Sequence, residues 1–316
     1  MSKYLAGEVI KALRKQRGLS QNELADGILD IGQLSRIERG GAMPSKFTLE
    51  KLFERLGYDP SAYSAILLSK EEMKHQAKKD EIDHLAKLRR DDEAIDLLEL
   101  LESDKKFSAS KPNKQYLLHT KAKIARRKNE PPQSLMKMLL EAIKITMPKY
   151  KEEDINEYWL SRQETAIIES IAATYALMNQ RDKAIELQYR IKDNFENRYM
   201  DVESRQSRYM PIIYNLTVDL GLSGRHSEAL ELCNDGIEAC KRFSAYRFLP
   251  LISFNKACSL LELGDLEACK ALLVETYFSF KLQERFDNVE KMEGYVKEKF
   301  GITLQELVVQ EMLKKS

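Results

Sequence analysis

Between Leu5 and Gly57 the chain punctuates itself so closely that only short helices joined by tight turns satisfy it. A basic amphipathic stretch from Glu8 to Arg17 ends at Gly18, where a left-handed cap favours glycine. Ser20 and Glu23 then have the three-residue spacing of a capping box that starts a second helix. Leu24 and Ala25 give that helix an apolar face, and the small Ala25 suits a close helix crossing. Asp30 is placed to cap a third helix from about Ile31 to Arg39. Its period turns Leu34 and Ile37 inward and Ile31, Gly32, Gln33 and Arg36 outward. Gly40 and Pro44 close it, and Leu49-Glu50-Lys51-Leu52 follows.

This order resembles the Xre-type helix-turn-helix domain of repressors, in which the second helix leans on the DNA backbone and the third enters the major groove. The resemblance implies that Gln21 binds a phosphate with its side chain and the helix N-terminus. It also implies that Gln33 and Arg36 address base edges, glutamine suiting adenine and arginine guanine. Ile31, Gly32, Ser35 and Arg39 complete that surface. Ser35 tolerates several backbone contacts and Glu38 is expected to pair with a neighbouring arginine. Gly32 brings no side-chain donor, so readout is sparse and DNA shape supplies part of the specificity. The alternative, a solvated helix end, needs caps, small residue, apolar spacing and breakers to coincide.

At 316 residues, with 43% apolar and 32% charged residues, the chain has the size and composition of two globular domains. Residues 1–64 carry ten Lys/Arg against eight Asp/Glu, so the head is only mildly basic. Affinity for DNA then rests on Lys11, Arg14, Lys15, Arg17, Arg36, Arg39 and Lys46, and on doubling the contacts by dimerisation. No apolar run has membrane length and Met1-Ser2-Lys3-Tyr4 does not open a signal peptide, which points to the cytoplasm. Cys233, Cys240, Cys258 and Cys269 lack C-x-x-C spacing, and His75, His84, His119 and His226 do not group with them. No metal or cofactor is expected, and buried free thiols are favoured over a redox switch. A phosphate loop, H-E-x-x-H and a nucleophile elbow are all absent from the sequence, so nothing supports an enzyme.

From about Lys70 glycine and proline become sparse, and helical patterns alternate with breaks at 111–113, 130–132, 179–181, 221–224 and 264–265. One pair of units is self-similar at an offset of 40: Tyr214-Asn215-Leu216 before Gly224, and Phe254-Asn255-Lys256 before Gly264. The spacing resembles the tetratricopeptide (TPR) repeat. Thr217 and Ala257 take its small site, Gly224 and Gly264 the turn, and Ala229 and Cys269 the second-helix site. A third unit fits with Ala172, Tyr175, Asn179 and Ala184, Ser170 standing in the asparagine position. Earlier units near 70–102 and 112–147 show only the helical period. The expected fold is therefore all-α: a helix-turn-helix domain over 1–64 and a TPR-like right-handed helical superhelix over 65–316.

In that register the concave face carries Ala166, Glu169, Ser170 and Ala173, then Pro211, Tyr214, Asn215 and Val218, then Leu251, Phe254, Asn255 and Cys258. An asparagine offers donor and acceptor together, so it can grip a peptide group whatever its side chain. A short oligopeptide is the implied ligand, held by Glu169, Ser170, Tyr214, Asn215, Val218, Leu251, Phe254 and Asn255. Two readings stand for Asn215 and Asn255: they hold a peptide, or they tie adjacent helices. Trp159 packs in the core or walls a ligand site. The run Lys121, Lys123, Arg126, Arg127, Lys128 is a solvated face, or meets a peptide carboxylate or DNA. The helix 303–313 dimerises or, as favoured here, caps its own chain.

Head and array together resemble the peptide-pheromone-responsive regulators of the RRNPP group, of the Rgg and PlcR types, over nearly the whole chain. That resemblance implies a cytoplasmic homodimer on an inverted-repeat operator in double-stranded DNA, with an imported oligopeptide in the concave groove altering DNA affinity. Residues 58–69, with Pro60, are the expected joint. The competing expectation is an Xre-headed regulator or antitoxin whose repeats bind a protein partner.

Overall fold

The computed structural model describes residues 2–42, 44–57, 70–198, 200 and 202–314, and among them every regular element is helical. The expected joint over 58–69 lies outside the described residues. The chain divides into two compact units, Met1–Ser108 and Ala109–Ser316.

The first unit opens with α1 (Ser2–Gln16), α2 (Gln21–Ala25), α3 (Ile31–Glu38) and α4 (Lys46–Leu56). Ile10, Leu24, Ala25, Leu34, Ile37, Leu49, Leu52, Phe53 and Leu56 form one core. The local signals act as read. Gly18 is left-handed, Ser20 and Glu23 close a reciprocal capping box, and Asp30 accepts from the Gln33 amide to start α3. A close helix crossing lies at Gly7: a Cβ there would overlap the Ile37 carbonyl oxygen, so glycine is what lets α1 press onto α3. The same unit continues through α5 (Lys70–Lys87), α6 (Asp91–Ser103) and α7 (Lys105–Ser108), which bury Ile82, Leu85, Ala94, Leu98, Leu101 and Phe107.

The second unit is a TPR-like array of antiparallel helix pairs: α8 (Lys111–Arg127) with α9 (Pro132–Thr146), then α10 (Arg162–Leu177) with α11 (Arg181–Glu196). A short α12 (Val202–Ser204) and a π-helical turn, Arg205–Tyr209, lead into α13 (Met210–Leu222). That helix pairs with α14 (His226–Arg242), α15 (Leu249–Glu262) pairs with α16 (Leu266–Leu282), and α17 (Phe286–Phe300) and α18 (Leu304–Lys314) finish the unit. One turn design recurs. Arg89, Asn129, Asn179, Gly224 and Gly264 all take positive φ, and the next residue in each case donates to the carbonyl five positions back. This is a Schellman closure, which Ser244 and Glu284 repeat, and among these sites only Gly224 and Gly264 hold the glycine that advertises it in sequence. The two earlier units, near 70–102 and 112–147, are helix hairpins of the same kind.

A continuous apolar core runs from Ala122 through Ile168, Ile185, Ile213 and Cys233 to Ile252, and a second joins Ala257, Leu273, Phe280, Met292, Val296, Leu304 and Leu307. Leu304 and Leu307 thus pack onto their own chain, whereas Met312 is exposed. Gly236 allows α14 to approach α13, since a Cβ there would lie 2.9 Å from the Ile213 side chain. Cys233, Cys240 and Cys269 are buried free thiols, and Cys258 is half-buried. Trp159 fits neither expectation for it: it is 84% exposed, outside both the core and the cleft described below, with the Arg198 guanidinium 4.3 Å from its ring centre.

Candidate functional site

The exposed edge of α3 carries Ile31, Gly32, Gln33, Arg36 and Arg39, with Ser35 half-buried between them. Leu34 and Ile37 point the other way into the core, so the helical period alone separates the exposed edge from the anchors. Arg39 steadies the C-terminal end by donating from Nε to the Ser35 carbonyl at 3.1 Å. At the other end, a Cβ on Gly32 would crowd the Asp30 carboxylate to 3.1 Å, so the residue without a DNA-directed donor is one that spares the cap.

Behind this edge sits a buried charge pair. The Arg14 guanidinium donates to both oxygens of Glu38, at 2.6 and 2.9 Å, and to the Leu19 carbonyl at 2.8 Å. Glu38 therefore has the arginine partner expected for it. Arg14 is corrected by the same contact: with 9% of its surface exposed, it belongs to the interior and not to the DNA-facing cations. Gln21 donates its Nε2 to Glu38 at 2.7 Å. Burial pushes the Glu38 carboxyl up, but the bonds from Arg14 and Gln21 and the arginine charge outweigh it and hold it below the usual carboxylate value. An amide nitrogen has two hydrogens, so Gln21 keeps one for an outside acceptor.

In the second unit a cleft of about 460 Å³ opens between helices far apart in sequence. Its walls are His119, Lys123 and Arg126 from α8 and Asn215, Val218, Asp219 and Leu222 from α13. Its floor is Glu169 and Ser170 from α10 among the small Ala166, Ala173 and Ala176, with Leu177 at one end and Arg181 and Gln188 entering from α11. Cleft residues recur at spacings of three and four on α8 (119, 123, 126), α10 (166, 169/170, 173, 176/177) and α13 (215, 218/219, 222), which puts them on one face of each helix.

The electrostatics are uneven. His119 is pinned between Gln163 on Nδ1 and Ser170 on Nε2, both at 2.9 Å. Because Ser170 spends its own proton on the Ala166 carbonyl, His119 must donate from Nε2 and accept on Nδ1, the neutral tautomer. Burial and then the nearby Lys123 charge push its pKa down to about 3. Asp219 takes Gln188 Nε2 at 2.8 Å and lies 3.3 Å from the Arg181 guanidinium. Glu169 fares worse. Its carboxyl has the Asn215 amide at 3.4 Å, and burial, only partly offset by that bond, pushes its pKa up to about 7. Gln188 Oε1, in a side chain 3% exposed, has no hydrogen-bond partner.

The expected peptide-site residues divide. Glu169, Ser170, Asn215 and Val218 line the cleft, while Tyr214, Leu251, Phe254 and Asn255 do not. Asn255 donates to Thr217 Oγ1 at 2.9 Å and so ties α15 to α13. Phe254 stacks edge-on against Tyr295, and with Leu251 it packs against the C-terminal core. Of the basic run, Lys123 and Arg126 enter the lining. The sequence reading missed His119, Arg181, Gln188 and Asp219. Only Gln188 carried a signal, as a polar residue inside the apolar stripe of Ala184, Ile185 and Ile191.

Comparison with known proteins agrees with both halves. Residues 10–63 match the helix-turn-helix family. An uncharacterized HTH-type transcriptional regulator of Mycobacterium tuberculosis and its Mycobacterium bovis counterpart are 41% identical over 71 residues, which is 22% of this chain. The match spans 27% of the length of those relatives. Among solved structures, PlcR of Bacillus thuringiensis in complex with the peptide PapR7 and DNA is similar over 92% of this chain and 99% of its own, with TM-score 0.71 and 22% identity. The SHP pheromone receptor Rgg2 of Streptococcus dysgalactiae is similar over 92% and 99%, with TM-score 0.68 and 12% identity. The competence regulator ComR of Streptococcus vestibularis, in its apo form, covers 94% and 99%, with TM-score 0.52 and 16% identity. The chain thus joins a helix-turn-helix head to a TPR-like array. It shares the fold of these RRNPP-type regulators along nearly its whole length.

Proposed function

We propose that this protein is a DNA-binding transcriptional regulator whose affinity for its operator is set by a short peptide held in the cleft of the array. The cleft carries this reading: about 460 Å³ is the size of a ligand site, and its mixture of small, apolar and charged linings suits a peptide. Lys123 and Arg126 offer charge to a carboxylate, and Asn215 and Ser170 offer hydrogen bonds to main chain. In the head, Gln33 and Arg36 address bases, Ile31, Gly32 and Ser35 complete the groove surface, and Gln21 and Arg39 reach phosphates. The chain acts as a homodimer in the cytoplasm, on an inverted repeat whose two half-sites double a modest contact set. The peptide works through the difference in its affinity for two arrangements of the protein, with about 5 kcal/mol of preference needed for a near-complete switch.

The test is genomic selection of bound DNA followed by anisotropy titration at fixed salt. Arg36→Ala is expected to lose about 1–3 kcal/mol of discrimination between selected and scrambled duplexes while its melting temperature holds. Unchanged discrimination rejects the role of Arg36 in base reading, and failure to select any sequence rejects the regulator.

A further inference from the structure

We infer that the floor of the cleft, formed by Glu169 with Gln188 beside it, is a subsite for a basic side chain, so that the bound peptide carries a lysine or arginine. This rests on the peptide reading above and adds to it what the peptide must contain. A carboxylate can accept about four hydrogen bonds, and Glu169 has one long one, from Asn215 at 3.4 Å. Gln188 lines the same cleft with a buried carbonyl oxygen that bonds to nothing, its amide being committed to Asp219. The Gln188 oxygen is a buried acceptor left open, which is costly, and the half-buried Glu169 carboxylate beside it has room for further donors.

Among the described residues no ion pair brings a cation to either acceptor. Arg181 lies 3.3 Å from Asp219 and donates to the Leu222 carbonyl, and no described ion pair involves Glu169. The side chains around Glu169 are short, Ala166, Ser170 and Ala173, which leaves a long guest side chain room to reach the floor. A neutral donor would satisfy geometry only. An ammonium or guanidinium also supplies the counter-charge that burial withholds from Glu169, and charge-assisted bonds are the stronger kind. Arg126 stands on the other wall, so the guest that matches the cleft is zwitterionic, its carboxylate on α8 and its basic group on α10.

The experiment uses the full-length protein and two libraries of N-acetylated heptapeptides with free carboxylates. They differ only at one fixed residue, placed at each position in turn: lysine in one library and norleucine, its uncharged near-isostere, in the other. Affinity selection read by mass spectrometry is expected to recover lysine peptides about tenfold or more over their norleucine counterparts. In Glu169→Gln that preference should fall to about twofold or less, while norleucine peptides are still retained. Equal recovery of both libraries by the wild-type protein overturns the subsite without reference to any variant. A lysine preference that survives in Glu169→Gln overturns the role of Glu169. Recovery of neither library is a different failure, because it rejects the peptide reading itself.

Discussion

In the head, the buried Arg14 guanidinium spends its fork on both oxygens of Glu38, and Glu38 also accepts from Gln21. In the cleft, the Glu169 carboxyl holds one bond of 3.4 Å and the Gln188 carbonyl oxygen holds none. The two regions bury polar groups to different ends. The head completes its own interior so that α3 is presented rigidly, as a surface that reads another molecule's edges must be. The cleft leaves its interior incomplete, and the proposed ligand would supply what is missing.

The largest expected effect breaks the finished side of this contrast. Glu38→Ala strands the Arg14 charge in the interior and should cost about 3–5 kcal/mol, read by urea denaturation of the full chain. A loss under 1 kcal/mol would mean that the pair is as loosely held as a surface bridge. Next comes the unfinished side. The folded-state pKa of Glu169, about 7, lies above its value in an unfolded chain, so the folded form binds the proton more tightly. The group costs nothing below about pH 4.5, and stability is lost as pH rises toward and through 7, reaching about 3 kcal/mol. Glu169→Gln should therefore match the wild type at pH 4 and exceed it by up to that amount at pH 8. His119, Lys123, Arg126, Arg181 and Asp219 share the cleft, and His119 stays neutral down to about pH 3, so it does not titrate in that window. Equal stability curves would show that Glu169 already has its counter-charge.

Gly7→Ala should follow at about 1–3 kcal/mol, because the added methyl forces α1 off α3 at the Ile37 carbonyl. DNA binding should fall with it. The smallest effect separates two asparagines that share one sequence motif. Asn255→Ala removes the 2.9 Å bond to Thr217 and should cost about 1 kcal/mol, while Asn215→Ala removes only a 3.4 Å contact and should cost a few tenths. Peptide affinity is expected to reverse that order, falling more for Asn215 than for Asn255. If both quantities move together, both residues are helix ties.

The head was legible because its signals are local: Gly18, Ser20, Glu23 and Asp30 each act on backbone within four residues. The repeats were legible where the turn used glycine, at Gly224 and Gly264, and faint where Arg89 or Asn129 adopts the same positive φ. The cleft was half legible. The helical period put Glu169, Asn215 and Val218 on the right face. It also put Leu251, Phe254 and Asn255 there, since a period cannot tell an open face from one that the next pair covers.

From its residues alone the chain determined its helices, their caps and the order in which they pair, because hydrogen bonds along a helix and at its ends join near neighbours. Tertiary structure decided which polar groups would be satisfied. Gln21 meets Glu38 across 17 residues and His119 meets Ser170 across 51. Gln188 and Glu169 meet too few partners, and only the packed array reveals that shortage. Charge burial depends on what surrounds a group in space, and no spacing along the chain encodes it.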